Sequence, residues 1–136
     1  MVLEARATES SAQGKLHFDL REDETGILQI DWRCFIADLL DAIRSGEPSE
    51  TLAAAFHEAV ADAFVDCAAR AARKAGLTRI VLSGGCFANR LLLQKISKQL
   101  HDADFEVYSH RQVPPGDGGL ALGQAVSAAR RVKEKE

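Results

Sequence analysis

Three groups of residues in this chain have the types and spacing to do chemistry. The first is Ser83-Gly84-Gly85, set between the apolar run Ile80, Val81, Leu82 and a stretch carrying Leu91, Leu92, Leu93, Ile96 and Leu100 at helical spacing. Paired glycines lack the Cβ atoms that would hold a ligand off the backbone. A helix start offers unpaired N–H groups to an anion, so strand, glycine turn and helix suit a phosphate or a ribose. A plain tight β–α connection has the same pattern. The second group is Asp117 in the loop Pro114-Pro115-Gly116-Asp117-Gly118-Gly119. A carboxylate held between glycines and stiffened by two prolines suits a divalent cation beside a phosphate, because the metal neutralises charge that the carboxylate alone would repel. An Asx-turn or N-cap before the last helix fits the same position. The third is Asn89, six residues beyond Ser83 in the first turn of its helix, which could bond a ribose hydroxyl or cap the helix.

Much familiar chemistry is missing. There is no HExxH, no pair of histidines at helical spacing and no second carboxylate near Asp117, and one aspartate does not hold a metal by itself. Either a partner lobe supplies the other ligands or the site takes no metal. His57 lies in line with Ala61, Phe64 and Ala68, where a satisfied core or interface histidine competes with one facing a site. His17 falls on the polar side of a strand and reads as solvated. Cys34, Cys67 and Cys86 form no CxxC pair and their odd number argues against a disulfide framework. Each reads as a small buried residue rather than a nucleophile.

The elements that must position these groups follow from periodicity. Residues 1–14 read as a frayed start or the cut end of something longer. Lys15–Leu20 alternates as a half-buried strand, Arg21–Gly26 is a charged turn, and Gly26–Ile30 returns as the second strand of a hairpin. Asp31 is a good N-cap for a helix from Trp32 to about Arg44, with Phe35, Ile36, Leu39, Leu40 and Ile43 as its apolar stripe. Ser45-Gly46-Glu47-Pro48 stops it. Ser49 can cap a long helix from Glu50 to about Ala75, which is apolar or small nearly all round and so predicts burial on more than one side. Strand Arg79–Leu82, a helix from about Asn89 to Asp102, strand Phe105–Tyr108 and a helix from about Leu120 to Lys133, with Leu122, Ala125, Val126 and Ala129 as its stripe, complete the order β-β-α-α-β-α-β-α. The last two strands each precede a helix and should lie parallel by right-handed crossover, with the hairpin as an antiparallel edge of the same sheet. Parallel strands bring their C-terminal loops to one edge, so the SGG turn and the PPGDGG loop should converge. The class is α/β, a mixed sheet with helices packed on it.

At 136 residues, 46% hydrophobic and 27% charged, the chain is a globular domain of ordinary size, short for a complete two-lobed enzyme. A net charge of −3 with no basic run gives no nucleic-acid footprint. No apolar stretch approaches the roughly 20 residues that span a bilayer. MVLEARATESS has no apolar core of a signal peptide, so a cytoplasmic location is expected, with no membrane and no nucleic acid as partner.

LSGGCFANRLLL, followed by FEVYSHRQVPPGDGGLALGQAVSAA, resembles the C-terminal end of the HypF family, the carbamoyltransferases of nickel–iron hydrogenase maturation. The usual wording there is close to LSGGVFQNRLLL and PPNDGGLALGQ. The likeness runs upstream through IDWRCFIADLL and AAFHEAVADAF and covers about residues 30–130. The same half-domain is similar to the TsaD (Gcp) tRNA threonylcarbamoyltransferases and to antibiotic O-carbamoyltransferases.

The resemblance implies an actin-like ATPase (ribonuclease H-like) lobe. Residues 1–136 would be the second lobe of a two-lobed domain, with the first lobe and further N-terminal domains absent from this sequence. It also implies nucleotide contacts at Ser83, Gly84, Gly85, Asn89 and Gly118. Asp117 matches a metal-binding aspartate whose companion histidines lie in the first lobe; iron, zinc or magnesium would suit. Cys86 stands for an aliphatic residue and Gly116 for the asparagine before Asp117, a change that would loosen the loop. The activity implied is transfer of a carbamoyl group, from ATP-derived carbamoyladenylate to the C-terminal cysteine of a HypE-type protein. It points to no catalytic side chain in this lobe, which alone is expected to be inactive.

Overall fold

The computed structural model describes residues 2–7 and 16–133. A short helix α1 (Val2–Ala7) precedes the hairpin β1 (Asp19–Glu22) and β2 (Leu28–Asp31). Then come α2 (Arg33–Arg44), α3 (Ser49–Lys74), β3 (Arg79–Leu82), a 3₁₀ turn (Gly85–Ala88), α4 (Arg90–Asp102), β4 (Glu106–Ser109), a second 3₁₀ turn (Asp117–Gly119) and α5 (Leu120–Lys133). The α/β order agrees with the periodicity. The expected residues 8–15, including the start of the predicted first strand, lie outside the described residues.

Helix α3 is the spine. Its 26 residues bury Ala53, Ala54, Ala55, His57, Ala59, Val60, Ala61, Ala63, Ala69 and Ala72, so neighbours approach from several sides because small side chains let them. One side meets Leu82, Ile96, Leu100 and Phe105 from the β3–α4–β4 unit. Another meets Leu16 and Phe35, where Phe18 stacks on Phe35 at 4.4 Å between ring centroids and Phe56 stands edge-on at 5.5 Å. Ala7 of α1 packs on Ala53 and Ala54.

Strands β3 and β4 are parallel, with Leu82 opposite Ser109 and an Arg79–Glu106 ion pair of 2.8 Å across their first pair. The hairpin does not extend that sheet. Among the described residues β1 pairs only with β2, antiparallel, and both two-stranded sheets rest on α3. The aromatic cluster of Phe18, Trp32, Phe35 and Phe56 holds the hairpin against α2 and α3, away from the edge of β3. Lys74 at the end of α3 reaches Glu22 at 2.6 Å.

Four local expectations change. Asp31 closes β2 instead of occupying the cap position of α2, yet its Oδ1 still accepts the Arg33 N–H at 3.1 Å. Ser49 is the first residue of α3, and its hydroxyl bonds Glu50 while Pro48 holds the cap position. The stripe Leu122 and Val126 of α5 is exposed rather than core, since among the described residues that helix packs chiefly on the turn before it. In α2 only Phe35 is buried, with Ile36, Leu40 and Ile43 exposed.

Candidate functional site

The parallel register carries the site. Leu82 and Ser109 are the last pair of β3 and β4, so Ser83 and His110 leave the sheet side by side, and Ser83 Oγ lies 2.9 Å from His110 Nε2. The two loops that follow are tied together. The Gly84 N–H donates to the Pro115 carbonyl at 2.8 Å. Gly84 takes φ +113 and ψ 158, a conformation for which glycine is the suited residue. Gly116 comes so close that a Cβ there would sit 3.4 Å from Gly85 Cα, which is ordinary contact, so glycine in place of asparagine leaves the loops together. Gly119 is a stricter requirement: a Cβ would meet the Pro114 carbonyl oxygen at 2.8 Å.

These loops and one face of α5 enclose an open cavity of about 720 Å³. Ser83, Gly84, Gly85 and Asp117 line it, as the sequence led one to expect, together with His110, Gln124, Ser127 and Arg131. Asp117 opens the second 3₁₀ turn and makes no side-chain cap. Among the described residues its carboxylate has no hydrogen-bond or ionic partner. His110, Gln124, Ser127 and Arg131 had no place in the sequence-based site. The signal for His110 was the equal offset of Ser83 and His110 from the two strands. The signal for the α5 residues was the i, i+3, i+7 spacing of Gln124, Ser127 and Arg131 on the face opposite the apolar stripe.

The start of α4 is not the anion site that strand, turn and helix suggest. A 3₁₀ turn intervenes, and the donors of α4 are already taken. Glu4 of α1 accepts the N–H groups of Arg90 at 2.7 Å and Leu91 at 3.2 Å, and Asn89 Oδ1 accepts that of Leu92 at 3.0 Å. The Leu91 N–H, first among these contacts, holds the Glu4 carboxyl below its ordinary range. The open donors are instead the N–H groups of Gly85 and Cys86, which among the described residues meet no acceptor. Gly84 is a tether, its N–H spent on Pro115.

Asn89 and Gly118 are not among the lining residues of the cavity. The Asn89 amide faces the core, where its Nδ2 lies 2.8 Å from Nε2 of His57, a residue only 2% exposed. His57 Nδ1 lies 2.8 Å from the Ala53 carbonyl. Since Asn89 Oδ1 must accept from Leu92, its Nδ2 donates; His57 Nε2 therefore accepts and Nδ1 donates to Ala53. His57 is the satisfied core histidine of the two alternatives. None of the cysteines is the fully buried residue expected: Cys86 is exposed, and Cys34 and Cys67 are half-buried.

Comparison with known proteins fits this arrangement. Residues 1–124 match the family described as the carbamoyltransferase Kae1-like domain, second subdomain. The chain belongs to that family. It is 39% identical over 111 residues to a carbamoyltransferase HypF homolog of Cupriavidus necator, covering 80% of this chain and 28% of that protein. It is 35% identical over 97 residues to carbamoyltransferase HypF of Rhodobacter capsulatus, covering 71% of this chain and 13% of that one. A crystal structure of full-length HypF in the phosphate- and nucleotide-bound form superposes with a TM-score of 0.83 at 30% identity, over 96% of this chain and 17% of that one. A tRNA N6-adenosine threonylcarbamoyltransferase of Magnetococcus marinus is 38% identical over 66 residues, 48% of this chain and 19% of that protein. The chain thus spans 28% or less of the length of each of these relatives. No helix among the described residues is long and apolar enough to cross a membrane.

Proposed function

We propose that residues 1–136 are the nucleotide-contacting second lobe of a HypF-type carbamoyltransferase. The complete protein would pass a carbamoyl group from carbamoyladenylate to the C-terminal cysteine thiol of a HypE-type partner, for the cyanide ligand of nickel–iron hydrogenase. One observation carries the reading. The Gly84–Pro115 hydrogen bond clamps the glycine turn and the Asp117 loop around one cavity, in a chain whose likeness to nucleotide-bound HypF covers nearly its whole length.

The Gly85 N–H group would meet a phosphate oxygen, and Arg131 on α5 adds positive charge at the cavity wall. The acceptor thiolate attacks the carbamoyl carbon, a C–S bond forms, the C–O bond to the phosphate breaks, and AMP leaves with the negative charge. Donors aimed at that charge lower the barrier because they are already oriented when it develops. Ser83 and His110 hold each other at the cavity edge and stiffen the turn. No side chain of this lobe is assigned the role of acid or base.

A divalent metal of the kind the family resemblance implies fits Asp117 as a single ligand, since among the described residues its carboxylate is unpaired, and Asp117 lines the cavity. The other metal-binding type on the lining, His110, has its Nε2 against Ser83, so further ligands would come from the first lobe of the two-lobed domain. When bound, the metal would neutralise phosphate charge beside the adenylate.

Calorimetry of AMP and ATP binding, with and without a divalent metal, tests the reading on this chain combined with a first-lobe fragment. Binding that weakens at least tenfold in Asp117→Asn only when metal is present is expected; no nucleotide binding by the combined lobes would overturn the proposal. Carbamoylation of a HypE tail peptide is expected, and modification of tRNA instead would move the chain to the threonylcarbamoyl branch. Nucleotide binding with neither acceptor modified would leave a binding lobe without turnover.

A further inference from the structure

The hairpin holds a second constellation that shares no residue with the Asp117 cavity. His17, two residues before β1, Asp19, the first residue of β1, and Cys34, in the first turn of α2, bring one nitrogen, one oxygen and one sulfur within 4.8 Å of one another. Cys34 Sγ and Asp19 Oδ2 are already 3.3 Å apart. Bond lengths of 2.0–2.3 Å put the ligand edges of a tetrahedral zinc site at about 3.5 Å, so that pair needs no rearrangement, and the histidine nitrogen lies within 4.8 Å of both. We propose that His17, Asp19 and Cys34 bind a zinc-class divalent cation, with water in the fourth position.

The ligand set selects the metal. Thiolate, imidazole and carboxylate together favour zinc or cobalt over magnesium or calcium, which take oxygen ligands in larger numbers. The surroundings favour a cation too. Asp38 Oδ2, a buried oxygen, lies 2.6 Å from His17 Nδ1 and so pairs with the ring nitrogen on the side of Asp38. A carboxylate behind a ligating imidazole is the usual outer partner that orients the ring. Asp31, by contrast, is neutralised by Arg33 and Arg21 and stays out of the set. A nucleophilic role for Cys34 fits worse: the neighbouring Asp19 carboxylate, which its thiol bonds, favours the protonated form. On binding, the thiol gives up its proton to solvent, a sulfur–metal bond forms, and the cation ties the entry of β1 to α2 where the aromatic cluster begins.

Cobalt(II) is the probe, because thiolate ligation produces a sulfur-to-cobalt charge-transfer absorption that oxygen or nitrogen ligation does not. Titrating the metal-stripped full chain should give that band with one equivalent bound, and zinc should displace it. Cys34→Ser should abolish the band, and His17→Gln should weaken binding about tenfold or more. His17 has a side chain 61% exposed, so its replacement leaves the fold intact if Cys34→Ser does not. Cys67→Ala, Cys86→Ala and Asp117→Asn should keep the band. Absence of the band in the wild type, its survival in Cys34→Ser, or full affinity in His17→Gln would each overturn the assignment.

Discussion

Replacing Asn89 by serine isolates one hydrogen bond of the polar chain that joins α4 to α3. In the wild type the Leu92 N–H donates to Asn89 Oδ1, Asn89 Nδ2–H to His57 Nε2, and His57 Nδ1–H to the Ala53 carbonyl. Serine caps a helix about as well as asparagine, so the Leu92 bond survives. What is lost is the donor to His57, whose Nε2 is then left in a site 2% exposed with no partner. A buried acceptor stranded in this way costs about 1–3 kcal/mol. For a domain of this size that is roughly 3 °C per kcal/mol, so Asn89→Ser should lower Tm by about 3–9 °C. In a His57→Phe background the same replacement has nothing left to strand and should cost less than about 0.5 kcal/mol. Urea denaturation of the four proteins gives the coupling, expected at about 1 kcal/mol or more. Nitrogen NMR of His57 should find the proton on Nδ1. Additive effects in the cycle, or a proton on Nε2, would refute the directed chain.

Gly84→Ala forces a Cβ into φ +113 and ψ 158 and should cost about 1–3 kcal/mol in denaturation while loosening the tether to Pro115. Leu100→Ala, at a fully buried site in the β3–α4–β4 core, should cost about 2–5 kcal/mol by the same assay. Asp117→Asn breaks no contact among the described residues and should leave stability within about 0.5 kcal/mol. Asp31 is held far below the usual carboxylate range, first by the Arg33 side chain and then by the Arg33 backbone N–H. A depressed carboxyl stabilises the fold above its unfolded value and loses that contribution as pH falls through its folded value. Asp31→Asn should therefore be less stable than wild type at neutral pH, with the gap narrowing below about pH 4 as the unfolded carboxyl of the wild type takes up protons.

Where local chemistry and long-range packing agree, the elements were legible in advance. The ends of α2 and α3 follow from Gly46, Pro48 and Gly76, because helices stop where glycine can take a left-handed turn, and apolar spacing alone placed α4 and α5. The parallel pairing of β3 and β4 followed from the helix after each strand. That pairing by itself brings Ser83-Gly84-Gly85 to Asp117, so half of the candidate site was readable. Partner choice was not. Periodicity says that β1 and β2 have an apolar side, but not that Phe18 and Trp32 would hold them to α2 rather than to the edge of β3.

Sequence alone determined the element order, the glycine turn, the Asp117 loop and their meeting at one sheet end, since each depends on neighbours along the chain or on connection handedness. Only the tertiary structure decided which hydrogen-bonding groups are free. Glu4, 86 residues before Arg90, closes the start of α4, and His57 takes the amide of Asn89. Gly84 gives its N–H to Pro115, while Gly85 and Asp117 are left facing the cavity with groups to spare. A donor's availability depends on every acceptor that folding brings near it, and acceptors distant in sequence leave no trace in the local pattern.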